Sequence, residues 1–229
     1  MVRILVAATL ALGLTASASA STIVPGTSNP WLAGMPDGST AAFFDIAPGQ
    51  SPVEVALSFA AGDHLVFTSS GTTDHCDGGG CGLAGAEGDF LEPPWGHAVG
   101  AENGIANVVA PIDALIGVFL GPAQPDSSAA PGELDFSTPA LRDFASLSPL
   151  LKQPFFIGDG LRNDFTTLQV FIVPAGATRL FLGTMDGYDW VNNVGSLDVT
   201  ATNVPEPATI VLVGAGLFGA VRRRVRRRC

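Results

Sequence analysis

The first clear pattern along the chain is at residues 53–59, Val-Glu-Val-Ala-Leu-Ser-Phe, where every second side chain is apolar. A strand half-buried against a core needs that period of two. Residues 60–63, Ala-Ala-Gly-Asp, read as a turn and 64–68 return as an apolar strand, so a hairpin is expected. Further apolar runs follow at 114–120, 169–173, 179–183 and 197–201, and Pro174-Ala175-Gly176-Ala177 is expected to join two neighbouring strands. Nothing between these runs repeats at helical spacing for long enough to form a crossover helix, which favours antiparallel pairing. The expected fold class is all-β: an antiparallel β-sandwich of jelly-roll type over 51–203, entered through an irregular lead-in at 21–50 with room for one strand. Two segments, 72–104 and 121–148, are too rich in Gly, Pro and polar residues to read as strands. Long loops on a rigid sandwich are where binding concentrates, although disorder is an equal expectation for 124–132.

Composition agrees with short strands and tight turns, with 28 Gly and 17 Pro. Charge sharpens the picture. The net charge of -10 is unevenly spread, because six of the 11 Lys and Arg residues fall in the last eight positions. Between the two ends only Arg142, Lys152, Arg162 and Arg179 face nearly all of the 21 acids. Such a surface repels phosphate backbones and anionic lipid, so nucleic-acid binding is excluded and metal cations are the natural ionic partners. Cys76 and Cys81 share a Gly-rich loop and in an exported chain read as a local disulfide, worth about 2 kcal/mol for so short a loop. A zinc site would need a second Cys/His pair beside His75 and Asp77, and none follows.

Both ends carry apolar runs with the look of addresses. Residues 1–20 place Arg3 before an apolar run at 4–14 and end in Ala18-Ser19-Ala20, the small-x-small exit of a secretory signal peptide, with an N-terminal signal helix and cleavage expected after Ala20. At 204–229, Pro205-Glu206-Pro207 precedes an apolar, helix-length run at 208–221 and then a cluster of arginines. The run is shorter than the ~20 residues that span a bilayer comfortably. This order of parts resembles the PEP-CTERM sorting signal of Gram-negative bacteria. The resemblance implies export across the inner membrane and transient anchoring through the C-terminal apolar helix. It further implies recognition of Pro205, Glu206 and Pro207 by an exosortase-type transpeptidase, and delivery to the cell surface or extracellular matrix. Signal peptidase is the other implied partner.

One constellation carries chemistry. Asp186, Asp189, Asn192 and Asn193 put hard oxygen donors on a single turn whose Gly187 allows a tight reversal. Calcium takes six to eight such oxygens. The bland alternative is a turn capped by its own Asp and Asn side chains. The surrounding residues, Arg179-Leu180-Phe181-Leu182-Gly183, Asp186, Asn192-Asn193 and Gly195-Ser196-Leu197, resemble the final hairpin and calcium loop of the PA-I galactophilic lectin family, a galactose-binding-like β-sandwich. That resemblance implies Asp186, Asn192 and Asn193 as side-chain ligands of Ca2+. Asp189 falls near a position that supplies a backbone carbonyl, and a further carbonyl comes from His75, or from Asp74 in a shifted register. The family's sugar-holding His-x-x-Gln has no counterpart here, which leaves Trp190 and Tyr188 as the candidate ligand-binding side chains beside the metal. No Gly-x-Ser-x-Gly elbow or His-Glu-x-x-His is present and catalytic residues are expected to be none, although Glu87, Asp89 and Glu92 could meet in space. The expectation is a non-enzymatic surface protein with a calcium-stabilised sandwich suited to carbohydrate such as matrix polysaccharide. The alternative is a structural protein in which the ion only locks a loop.

Overall fold

The computed structural model describes residues 17–204, within which almost all regular structure is β. The largest sheet has five strands in the order β1 (Ala18–Pro25), β12 (Val194–Val204), β3 (His64–Asp74), β10 (Val170–Ile172) and β8 (Ser146–Leu147). A second holds β2 (Val53–Glu54), β11 (Arg179–Thr184), β6 (Leu115–Leu120) and β9 (Phe155–Phe156). A third, small sheet is β4 (Trp95–Gly96), β5 (Val108–Ala110) and β7 (Leu134–Asp135). Pairing is antiparallel except for β8 with β10 and β5 with β7.

The two larger sheets share one core. Leu197, Val199 and Ala201 alternate inward along β12, and Leu65 and Phe67 do so along β3. From the facing sheet come Leu180, Leu182, Leu115 and Phe119. A file of aromatic rings crosses the interface: Phe67 meets Phe171 at 5.1 Å between centroids, Phe171 meets Phe155 at 5.4 Å, and Phe155 meets Phe119 at 5.2 Å. Edge-to-face and offset contacts of this kind add to the burial of each ring. All six residues of β6 are buried, because its second face is covered by the 3-10 turn Pro30–Leu32, whose Trp31 is wholly inaccessible.

Three expectations change. The 53–59 and 64–68 segments do not form a hairpin: β2 pairs with β11 in one sheet while β3 pairs with β12 in the other, so residues 60–63 cross between layers. Pro174–Ala177 likewise carries the chain from β10 in the first sheet to β11 in the second rather than between neighbours. The lead-in is part of the domain, since β1 pairs along its full length with β12 and continues past the expected cleavage point after Ala20 through Ser21 to Pro25. Residues 124–132 are ordered around Lys152, whose Nζ donates to the carbonyls of Pro125, Ser128 and Ala129. The disulfide Cys76–Cys81 is formed. Among the described residues no helix is long and apolar enough to cross a membrane. The expected signal helix, apart from its last few residues, and the C-terminal apolar helix with Pro205, Glu206 and Pro207 lie outside the described residues.

Candidate metal centre

The turn between β11 and β12 is fixed from below before any ligand is considered. Its start is set by the Thr184 hydroxyl donating to the Gly26 carbonyl at 2.7 Å. Its middle rests on Asp45, which is fully buried and accepts the N–H groups of Trp190 (3.1 Å) and Val191 (2.9 Å) while holding Asn29 Nδ2 at 2.9 Å. Trp190 is sunk into the core, where its indole N–H donates to the Thr184 carbonyl. Asp189 adopts the left-handed conformation with φ 68, and its carbonyl closes the 3-10 turn Trp190–Asn192 by accepting the N–H of Asn192.

This scaffolding leaves oxygens without partners. Asp186 Oδ2, Asp189 Oδ1, Asn192 Oδ1 and Asn193 Oδ1 are all buried and accept no hydrogen bond, and the same holds for Asp113 Oδ1, two residues before β6. An unpartnered buried acceptor costs about 1–3 kcal/mol. A set of them on one turn therefore asks for a donor or a cation. The other oxygens of these residues are occupied: Asp186 Oδ1 takes the N–H of Gly187 at 2.6 Å, Asp189 Oδ2 takes Asn192 Nδ2 at 3.2 Å, and Asp113 Oδ2 takes the His75 Nδ1–H at 2.7 Å. Asn193 Nδ2 is committed to the Gly26 carbonyl. Burial pushes the Asp186 carboxyl up to about 6 and raises those of Asp113 and Asp45. A cation beside them would relieve that penalty by favouring the ionised form.

A cavity of about 280 Å³ opens above the turn and is bordered by His75, Asp186, Tyr188, Asn192, Glu92 and Trp95 among others. Of the sequence candidates, then, Asp186, Asn192, Tyr188 and His75 meet at one opening. Asp189 and Asn193 lie on the same turn without bordering the cavity. Trp190 is a correction: with no exposed surface it supports the turn and has no face for a ligand. The exposed aromatics at this opening are instead Trp95 and Tyr188, 6.4 Å apart between centroids, with Phe43 packed on Tyr188 at 5.2 Å. Gly187 lets Trp95 in, since a Cβ there would stand 2.8 Å from the ring.

Asp113, Trp95 and Asp45 were not among the sequence candidates. Asp113 could have been noticed as an acid set directly before an apolar run, but nothing local announces its partner His75. The donor set suits a hard cation. Among the described residues the one cluster of His, Cys, Asp and Glu ligand atoms within 4.8 Å of one another is His75, Cys76 and Cys81, and the disulfide has taken both sulfurs. Amide and carboxylate oxygens are what remain, which fits calcium and not zinc.

The far end of the chain decides its destination. Residues 203–228 match the PEP-CTERM protein-sorting motif. The chain is accordingly an exported protein that an exosortase sorts to the cell surface. No curated protein matches it. The sorting motif covers the tail and leaves the role of the β body to its own geometry.

Proposed function

We propose that this exosortase substrate is a calcium-stabilised binding module that holds carbohydrate at the cell surface, built on a jelly-roll sandwich of the galactose-binding-like kind. The observation that carries the reading is the group of buried, unpartnered oxygens on Asp186, Asn192 and Asn193, with Asp113 beside them. Asp186, Asn192 and Asn193 would hold the ion by their side chains and His75 by its carbonyl, with Asp113 orienting the His75 ring. Bound there, calcium supplies open coordination positions that accept pairs of sugar hydroxyls. Tyr188 and Trp95 border the same cavity and offer aromatic faces to the apolar side of a pyranose. No catalytic residues are invoked.

At millimolar calcium and a Kd of order 10⁻⁴ M the ion would add about 1.4 kcal/mol to stability. For a domain of this size that is a rise of about 3–6 °C in melting temperature. The test is thermal melting of the purified protein in calcium and in EDTA, together with glycan-array binding under both conditions, for the wild type and for Asp186→Asn with Asn192→Ala. A calcium-dependent rise that the double variant loses, with glycan retention that EDTA abolishes, supports the reading. A melting curve indifferent to calcium refutes it. The burial of Trp190 within the turn favours one alternative, an ion that only locks the fold, and a calcium-dependent melting shift without glycan retention would select it.

A further inference from the structure

We infer that the carbohydrate is bound as a chain and not as a single sugar, because a second cleft adjoining the metal pocket is built as a further sugar subsite. The inference rests on the proposed function and extends it. The cleft has a volume of about 500 Å³ and lies between residues 87–94, the short helix Pro139–Arg142 and residues 163–165. Glu92 borders both this cleft and the metal pocket, so one ligand can pass from one to the other.

Two exposed aromatic side chains flank the cleft, Phe90 at 63% exposure and Phe165 at 75%. Phe165 is also held at a φ of 57, a left-handed conformation that a bulky residue adopts only under constraint. Deeper in the cleft is Arg142, only 7% exposed, its guanidinium 5.5 Å from the centre of the Phe90 ring. Its one side-chain hydrogen bond among the described residues goes from Nη1 to the Phe136 carbonyl at 2.7 Å, and the guanidinium also lies 5.8 Å from the centre of the Phe156 ring. The rest of its donor fork makes no further hydrogen bond to the protein among the described residues and is available to an acceptor from a ligand. Glu87, which burial pushes up to about 7, presents a carboxyl beside it, with one oxygen already taken by the Asp159 N–H at 3.0 Å.

These groups select the ligand. Asp89 and Glu92 outnumber the lone arginine even with Glu87 only part-ionised near neutral pH, which disfavours an anionic ligand. A wholly apolar ligand would displace water from the remaining guanidinium donors and the second Glu87 oxygen without replacing its hydrogen bonds, which is costly. A neutral pyranose meets both demands: its C–H faces lie against phenyl rings, and its hydroxyls donate to carboxylates and accept from guanidinium. Continuity through Glu92 then makes the natural occupant an oligosaccharide with one sugar at the metal and the next along the phenylalanines.

The experiment measures binding of the purified full chain to immobilised neutral gluco-, galacto- and manno-oligosaccharides from monomer to hexamer. Each is run in millimolar calcium and in EDTA, for the wild type, Phe165→Ala and Asn192→Ala. Phe165 is exposed, and an unchanged melting temperature verifies that its variant is folded. The expected result is wild-type affinity that rises with chain length, and a Phe165→Ala variant about tenfold weaker for the longer glycans yet unchanged for monosaccharide, the size of one lost aromatic contact. Calcium-dependent monosaccharide binding with no gain from length and no effect of Phe165→Ala overturns the inference and leaves the proposed function standing. Length-dependent, Phe165-sensitive binding that survives EDTA and Asn192→Ala keeps the second subsite and removes the metal from it. Absence of retention for every glycan overturns both.

Discussion

Removing the Asp45 carboxylate tests how the fold builds the turn. Asp45 is fully buried and accepts hydrogen bonds from Asn29 Nδ2, Trp190 N and Val191 N. Asp45→Ala would strand all three donors, two of them in residues with no exposed surface. At about 1–3 kcal/mol for each buried group left unsatisfied the gross loss is about 5 kcal/mol. Part is returned, because burial already raises the carboxyl's pKa and the variant no longer has to bury that charge. The net expectation is a loss of about 3 kcal/mol, or a fall of about 10 °C in melting temperature at this chain length. Asp45→Asn keeps one acceptor and should fall between the two. The assay is urea unfolding followed by tryptophan fluorescence, since Trp190 sits directly over Asp45, with the urea dependence of the free energy unchanged. Calcium-induced stabilisation should weaken alongside. If Asp45→Ala unfolds within about 1 kcal/mol of the wild type, the carboxylate is not what anchors the turn, and the account of how the site is scaffolded fails.

Other perturbations address separate parts of the molecule. Burial raises the Glu87 carboxyl from 4.5 to about 7, so its contribution to stability is fully present below pH ~4.5 and is lost as pH rises through about 7. The ceiling is about 3 kcal/mol, and Glu87→Gln should flatten that part of a stability-against-pH profile measured by urea titration. Gly160 holds a φ of 85 with its hydrogens against the Phe67 carbonyl, so Gly160→Ala should cost at least about 2 kcal/mol by thermal melting. Lys152→Met removes the ammonium that gathers the carbonyls of Pro125, Ser128 and Ala129, and hydrogen exchange should quicken across 124–132 with little change elsewhere. Replacing Cys76 and Cys81 by Ser should lower stability by about 2 kcal/mol or less, because Asp74 also clasps the loop by accepting the N–H groups of Cys76 and Gly82.

The strands that were legible in the sequence are those whose burial is simple. β6 and β11 are apolar runs because both of their faces are covered, and β12 alternates because one of its faces is open. β1 was hidden for a physical reason. It is an edge strand of small polar residues whose Ser19 and Ser21 hydroxyls bond to Thr202 and Thr200 across the pair, and the same small residues spell a signal-peptide exit. Strands of two residues, such as β4 and β9, are too short to show any period. The false hairpin arose because a Gly-Asp turn between two strands looks the same whether the chain returns along one sheet or crosses to the other. At the site, the donors contributed by one turn could be read together, whereas Asp45, Trp95 and Asp113 come from elements far apart in sequence and meet only through the fold. Trp190 was misplaced because an aromatic beside a metal turn has the same letter whether it faces the ligand or the core.

Topology also relates the sorting signal to the site. The turn that carries Asp186, Asn192 and Asn193 leads into the first residue of β12, and the sorting motif begins at residue 203, beside its last. A strand of 11 residues at about 3.3 Å each separates the two by roughly 35 Å. β1 runs antiparallel to it, with Ala18 opposite Asn203, so the chain enters and leaves the body at the same end. The sorting motif therefore begins at the pole opposite the candidate metal turn. Among the described residues, the hydrogen bonds that hold Asp45 and Trp190 come from Asn29, Thr184 and the turn itself, all well before the motif. On the proposed reading, sorting and binding would proceed in sequence on one short domain, since the sorting motif begins at one end of β12 and the candidate site lies at the other.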